Sequence, residues 1–160
     1  LTQGGTVGEL RIGTGGDYVN LDQAVADMVE GIPQHLRKGL VAYVGSELVG
    51  REKSLLYQAI GATPTEKNEA TESLKSFGGL PYETPSNFPP RGIVITFPKN
   101  LSIYVQEGTW RRNIKEKPEK NRVEDYNSRN EAYLVETPEA MVAVEFDNVK
   151  VPNAAGDAWV

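Results

Sequence analysis

Cysteine is absent from the 160 residues, which removes disulfides, thiolate nucleophiles and Cys-ligated zinc together. Histidine occurs once, at His35, so a metal site built on several histidines is excluded within one chain. His35 sits in GIPQHLRKG beside Arg37 and Lys38 and reads as a solvated helix-end or turn residue. A catalytic base there would need a partner that the sequence does not display. No run of about 18 apolar residues occurs, so no segment has the length of a membrane-crossing helix. Signal-peptide patterning is missing too, as are a G-x-S-x-G elbow and an S-x-x-K pair in a suitable context. The Gly13-x-Gly15-Gly16 cluster lacks the Gly-Lys-Ser/Thr ending of a phosphate loop, and Asp17 follows it, where it would repel phosphate. It reads as a turn before a helix.

What remains has the composition of an ordinary globular protein, 39% hydrophobic and 24% charged. The net charge of −5 argues against wholesale coating of nucleic acid, though not against a local basic patch. The length suits one domain with a real core, or one domain plus an appendage. A start at Leu1 rather than Met reads as an excised fragment or a processed product.

The periodicity gives an order of elements. A short strand-like run covers Gly8–Ile12. Leu21, Val25, Met28, Val29 and Ile32 then recur at helical spacing, with Asn20 as N-cap and Gly31–Pro33 as the stop. Leu40–Val44 is a continuous apolar run expected to be a strand covered on both faces. Ser46 opens a second helix, with Leu48, Val49, Leu55, Leu56 and Ile60 facing inward. A third, mostly polar helix is expected from Thr63, with Thr63 and Glu66 at capping-box spacing, apolar positions Ala70, Leu74 and Phe77, and Gly78-Gly79 as its end. Strands follow at Leu80–Thr84 and Gly92–Phe97 around the rigid loop PSNFPPR, residues 85–91. More are expected at Leu101–Gln106, Thr109–Ile114, Arg122–Tyr126, Ala132–Glu136 and Met141–Phe146, the last apolar enough to be central. Pro138 marks a change of sheet. The fold class is α+β, with helices on a mixed central sheet to which the final strand returns after an excursion. The tail from Lys150 is expected to be loose.

The segment Trp110–Arg122, WRRNIKEKPEKNR, holds six basic residues against two acidic ones. Phosphate contacts with a stacked base are conceivable there, as is a solvated strand-and-turn face. Ion pairing across a protein–protein contact suits it best, because Arg and Trp anchor interfaces. Glu124-Asp125 and Glu131 do not repeat any calcium-loop interval and read as surface or interface acids. Glu136 and Glu145 lie on or beside apolar strand runs, and Ser73-Leu74-Lys75 reads as solvent-facing.

Residues Asn100–Glu136, NLSIYVQEGTWRRNIKEKPEKNRVEDYNSRNEAYLVE, carry a family likeness. The stretch resembles the C-terminal part of the major capsid proteins of P-two-type tailed phages. These carry N-L-S-I-Y-x-Q-E-G-T-x-R-R, then a run ending R-[IV]-E-[DN]-Y, then N-[ED]-A-Y-[VL]-[VI]-E. Leu80-Pro81 match as well, and weaker likeness reaches back through GDYVNLDQAV and LVAYVGSELV. The resemblance implies a Hong-Kong-97-type capsid fold. Residues 17–102 and 139–147 would form its axial domain, a mixed central sheet flanked by helices. Residues 103–136 would be peripheral-domain strands, and 1–16 and 148–160 flexible ends. The chain departs from the pattern in carrying no N-terminal arm, extended loop or spine helix.

The implied function is structural, with no chemical step and no cofactor or metal. The chain would be part of an icosahedral head around double-stranded DNA, made in the host cytoplasm and located in the virion. Its partners would be copies of itself in pentamers and hexamers, a scaffolding protein, and packaged DNA held non-specifically. Trp110, Arg111, Arg112, Lys115, Arg122, Glu124 and Arg129 are the expected subunit-interface residues. The alternative is a small nucleic-acid- or carbohydrate-binding module using Trp110–Arg122. An enzyme using Glu124 or Asp125 is a third class.

Overall fold

The computed structural model describes residues 8–60, 74–153, 156 and 158–160. In chain order the elements are β1 (Leu10–Arg11), α1 (Leu21–Glu30), β2 (Val41–Val44), α2 (Ser46–Ile60), β3 (Ser76–Phe77), β4 (Leu80–Glu83) and β5 (Ile93–Thr96). There follow β6 (Leu101–Val105), β7 (Arg111–Lys117), β8 (Arg122–Ser128), β9 (Glu131–Val135), β10 (Val142–Val144) and β11 (Val149–Lys150). The chain divides into two units, Leu1–Pro98 with Thr137–Val160, and Lys99–Glu136.

The first unit is built on a mixed five-stranded sheet of order β10-β5-β2-β4-β3. β2 and β4 run parallel, and the other neighbours are antiparallel. β-Branched runs suit this pleated, covered surface. Ile93 and Ile95 of β5 lie wholly inside with Ala42 and Val44 of β2. Helix α1 adds Leu21, Ala24, Val25 and Met28, the stripe that i, i+3, i+4, i+7 spacing places on one face. Asn20 caps it, its side chain accepting from the Gln23 amide at 2.9 Å. A second acceptor comes from α2, where Glu52 Oε1 takes the Leu21 amide at 2.7 Å. Burial pushes the Glu52 carboxyl up, against the lowering effect of that bond.

Four expectations are corrected within this unit. The third helix would begin at Thr63, outside the described residues, but its last apolar position, Phe77, belongs to β3. There Phe77 is fully buried, its ring 4.7 Å from that of Tyr82. Leu55 is exposed, because α2 carries it to a surface cleft shared with Val19, Arg51 and Pro152 rather than to the core. β10 is an edge strand, since β5 and β2 occupy the middle of the sheet. The ends are not loose at residues 10–12 and 148–151. β1 pairs in parallel with β11, and Ile12, Val149 and Val151 are buried, giving both strands apolar anchors.

The loop over residues 85–91 is held tightly. Phe88 N donates to Pro85 O at 3.1 Å, Glu47 N to Pro90 O at 3.1 Å, and Arg91 pairs with Glu47 at 2.8 Å. A side chain at Gly45 would bring Cβ to 2.1 Å from Pro90 O, so only glycine allows this approach. His35 lies exposed in a short 3-10 turn, Gln34–Leu36.

Candidate interaction surface

The second unit is one long hairpin made of two successive ladders. β6 pairs with β9, from Leu101↔Val135 to Val105↔Glu131, and β7 pairs with β8, from Arg111↔Ser128 to Lys117↔Arg122. A turn at Pro118–Lys120 closes the tip, followed by Asn121 in the left-handed region at φ 45°. Asn tolerates that conformation better than most side chains.

Between the ladders the chain is pinned by side chains that sequence reasoning did not single out. Gln106 N donates to Asn130 O at 3.1 Å, and Thr109 Oγ1 donates to Gln106 O at 2.7 Å. Thr109 Oγ1 in turn accepts the Asn130 amide at 3.1 Å. The Asn130 side-chain amide donates to Gln106 Oε1 at 3.2 Å. The Q-E-G-T and N-[ED]-A-Y motifs hold these three residues, but the sequence reading set Gln106 and Thr109 at strand ends, where the structure leaves both outside β6 and β7, and nothing in it linked them to Asn130.

Neither ladder face is covered by its own unit. Alternation places Leu101, Ile103 and Val105 on the same face as Tyr133 and Val135. Ile103 is 59% exposed and Tyr133 72%. On the second ladder Ile114 and Val123 are more than half exposed, and Trp110 at the junction is 75% exposed. Two-stranded ladders alone are marginal in water, and contiguous apolar exposure on a folded protein marks a contact surface.

The seven expected interface residues fall into four sets. Trp110 and Arg129 line one open cleft of about 290 Å³ with Asn127 and Ser128. Arg129 also pairs with Glu131 at 2.7 Å. Lys115, Arg122 and Glu124 converge on one face of β7–β8. Glu124 pairs with Arg122 and, at 2.8 Å, with Lys117. The Lys115 ammonium stands 6.0 Å from the centre of the Tyr126 ring. Arg112 points to the opposite face and holds Asp125. Arg111 has no ion-pair partner among the described residues. The structure therefore does not bring all seven together. Glu124 and Asp125, adjacent in sequence, serve different cations on opposite faces.

Three phenol–carboxylate pairs recur along the hairpin. The Lys117 hydrogen bond, with that of Tyr126, holds the Glu124 carboxyl below its ordinary range. Tyr133 and Arg129 do the same to Glu131, and Tyr104 and Ser102 to Glu136. The partner phenols Tyr126, Tyr133 and Tyr104 are correspondingly raised. Carboxyls held in this way are ion-pair and hydrogen-bond acceptors at neutral pH, the opposite of the raised acid that proton donation requires.

A family model described as phage major capsid protein, P2 family, matches residues 1–147. The capsid proteins of Escherichia phage P2 are 34% identical over 152 residues, covering 89% of this chain and 42% of theirs. The major capsid protein of Serratia phage KSP20 is 36% identical over 138 residues, covering 79% and 38%. A chain from a satellite phage P4 procapsid that includes size determination (Sid) protein superposes with a TM-score of 0.76. Its identity is 34%, over 89% of this chain and 42% of that one. The chain thus spans about two-fifths of the length of these relatives.

Proposed function

Since the chain belongs to the P2 family of phage major capsid proteins, we propose that it is a piece of a shell subunit that acts by shape, with no chemical step. In this reading copies close by symmetry into an icosahedral head around double-stranded DNA. The fold is then of Hong-Kong-97 type. The unit built on the five-stranded sheet serves as its axial domain and the hairpin as part of its peripheral domain. Its place is the virion, and its partners are other copies and a scaffolding protein.

One observation carries the reading. The hairpin presents Trp110, Ile103, Tyr133 and Arg111 outward, with no cover from its own unit. Such side chains are the usual anchors of protein contacts. The loop over residues 85–91, made rigid by its bonds to Glu47, is suited to meeting neighbours around a five- or six-fold centre.

The test is charge reversal at Arg111 and Arg112 in a subunit of the relatives' full length, with assembly followed by electron microscopy. Loss of shells with retained subunit folding is expected. Normal shells from the double variant would overturn the assignment of this face. Salt-sensitive DNA binding by the isolated chain would instead favour a nucleic-acid module.

A further inference from the structure

The family match ends at residue 147, yet the chain beyond it is built into the first unit. Ile12 N donates to Lys150 O at 2.9 Å as β11 runs alongside β1. The chain then doubles back. Val151 N donates to Val160 O at 3.1 Å, Val160 N to Val151 O at 3.0 Å, and Asn153 N to Ala158 O at 2.8 Å. This sets Trp159 opposite Pro152.

Both rings press on the glycine turn at residues 13–16. A Cβ on Gly13 would lie 2.8 Å from Pro152 Cδ, and one on Gly16 would lie 2.7 Å from Trp159 Cη2. The indole and pyrrolidine thus occupy space that only glycine leaves open. Arg51, on α2, donates through Nη1 to Pro152 O at 2.8 Å. The turn has its own closure as well. Gly13 N donates to Tyr18 O at 2.8 Å, Tyr18 N to Arg11 O at 3.1 Å, and the Tyr18 hydroxyl to Asp27 on α1.

We infer that residues 148–153 together with 158–160 form a strap that clamps the glycine turn, and with it β1 and Tyr18, against α1 and α2. A glycine-rich segment near a chain end frays unless something ties it down. A two-residue parallel pair is too small to do that alone. The strap supplies the missing area through Val149, Val151, Pro152 and Trp159. Opening it frees residues 9–18 while the five-stranded sheet stays folded, so the strap and the turn are one local unfolding unit.

Amide hydrogen exchange read residue by residue tests this, in Trp159→Ala and in a chain cut after Asp147. The informative amides are Gly13 and Tyr18, whose acceptors, Tyr18 O and Arg11 O, flank the turn and do not belong to the strap. Exchange about tenfold or more faster at both positions is expected, with Val44 and Ile95 unchanged in Trp159→Ala. Unaltered protection at Gly13 and Tyr18 in Trp159→Ala would overturn the inference. Parallel loss at Val44 and Ile95 would also overturn it, since the segment would then be part of the global core. If the cut chain does not fold, Arg51→Met joins Trp159→Ala, and the same amides decide.

Discussion

Arg112 and Asp125 are diagonal partners across the β7–β8 ladder. Nε of the guanidinium lies 3.1 Å from each carboxylate oxygen and Nη2 lies 2.8 Å from Oδ2. The pair is forked and exposed, so it orients the two strands more than it stabilises them. A charge swap, Arg112→Asp with Asp125→Arg, is expected to recover part of what either single change loses. The coupling should be about 0.2–1 kcal/mol by double-mutant cycle in denaturant, and smaller at high salt. Zero coupling at low salt would show that the fork does not form in solution.

Arg111 differs from its neighbour because no carboxylate in its own unit engages it. Arg111→Glu alone is therefore expected to leave hairpin stability within about 0.5 kcal/mol while impairing assembly. Arg112→Glu should disturb both. Thermal unfolding and particle counts by electron microscopy separate the two effects. Equal loss of stability in both variants would remove the distinction.

Acidification should loosen the β7–β8 ladder. The folded-state pKa of Glu124 is depressed by its Lys117 and Tyr126 hydrogen bonds. Its contribution is complete above the ordinary carboxylate value of about 4.3 and is lost as pH falls through the lower folded value. Amide exchange of Lys115 and Tyr126, followed from pH 5 downward, should accelerate beyond the intrinsic trend. Glu124→Gln should flatten that pH response. An identical profile in both proteins would count against it.

Alkali should act at the other unit. The hydrogen bond to Asp27 is the main cause that raises the Tyr18 phenol to about 12. A raised pKa means the stabilisation is intact below the ordinary value of about 10 and disappears as pH climbs through about 12. Tyr18→Phe is expected to cost about 0.5–1.5 kcal/mol at neutral pH. The gap between the two proteins should narrow on going to alkaline pH in urea titrations. A constant gap would show that the bond contributes nothing there.

Two changes in the first unit differ in kind. Ile95→Ala leaves a void in a wholly buried site and should cost about 2–5 kcal/mol. Gly45→Ala forces Cβ against the Pro90 carbonyl, backbone that cannot swing aside, and should cost at least about 1–3 kcal/mol. Only the second should also raise protease cleavage within residues 85–91. Cleavage unchanged in Gly45→Ala would show that this loop is held by other contacts.

The elements legible from sequence were those whose side chains repeat with a period. Leu21, Val25 and Met28 marked α1, and Ile93 and Ile95 marked β5, because each run faces one buried surface. Asn20 and Gly31 bounded α1 through backbone chemistry that is local in sequence. Position within a sheet is not local. Val142 and Val144 are as apolar as a central strand, and only the pairing with β5 places them at an edge. Phe77 likewise suited a helical spacing, but its pairing with Leu80 of β4 places it in β3, its ring tilted against that of Tyr82. In the hairpin, Trp110 and Arg129 could be singled out by residue type, but not that they share a cleft. The split of Lys115, Arg122 and Glu124 from Arg112 depends on strand register, which one sequence does not specify.

β5 and β10 are direct neighbours, with Ile95 opposite Val142, although the whole second unit lies between them in the chain. Topologically that unit is an oversized loop between two antiparallel neighbours, with its two stems already side by side. Lengthening such a loop penalises closure only logarithmically, so an insertion here is cheap to enlarge, trim or exchange. Changes to the length of the hairpin should therefore leave the pairing of β5 with β10, and the sheet built on it, largely intact.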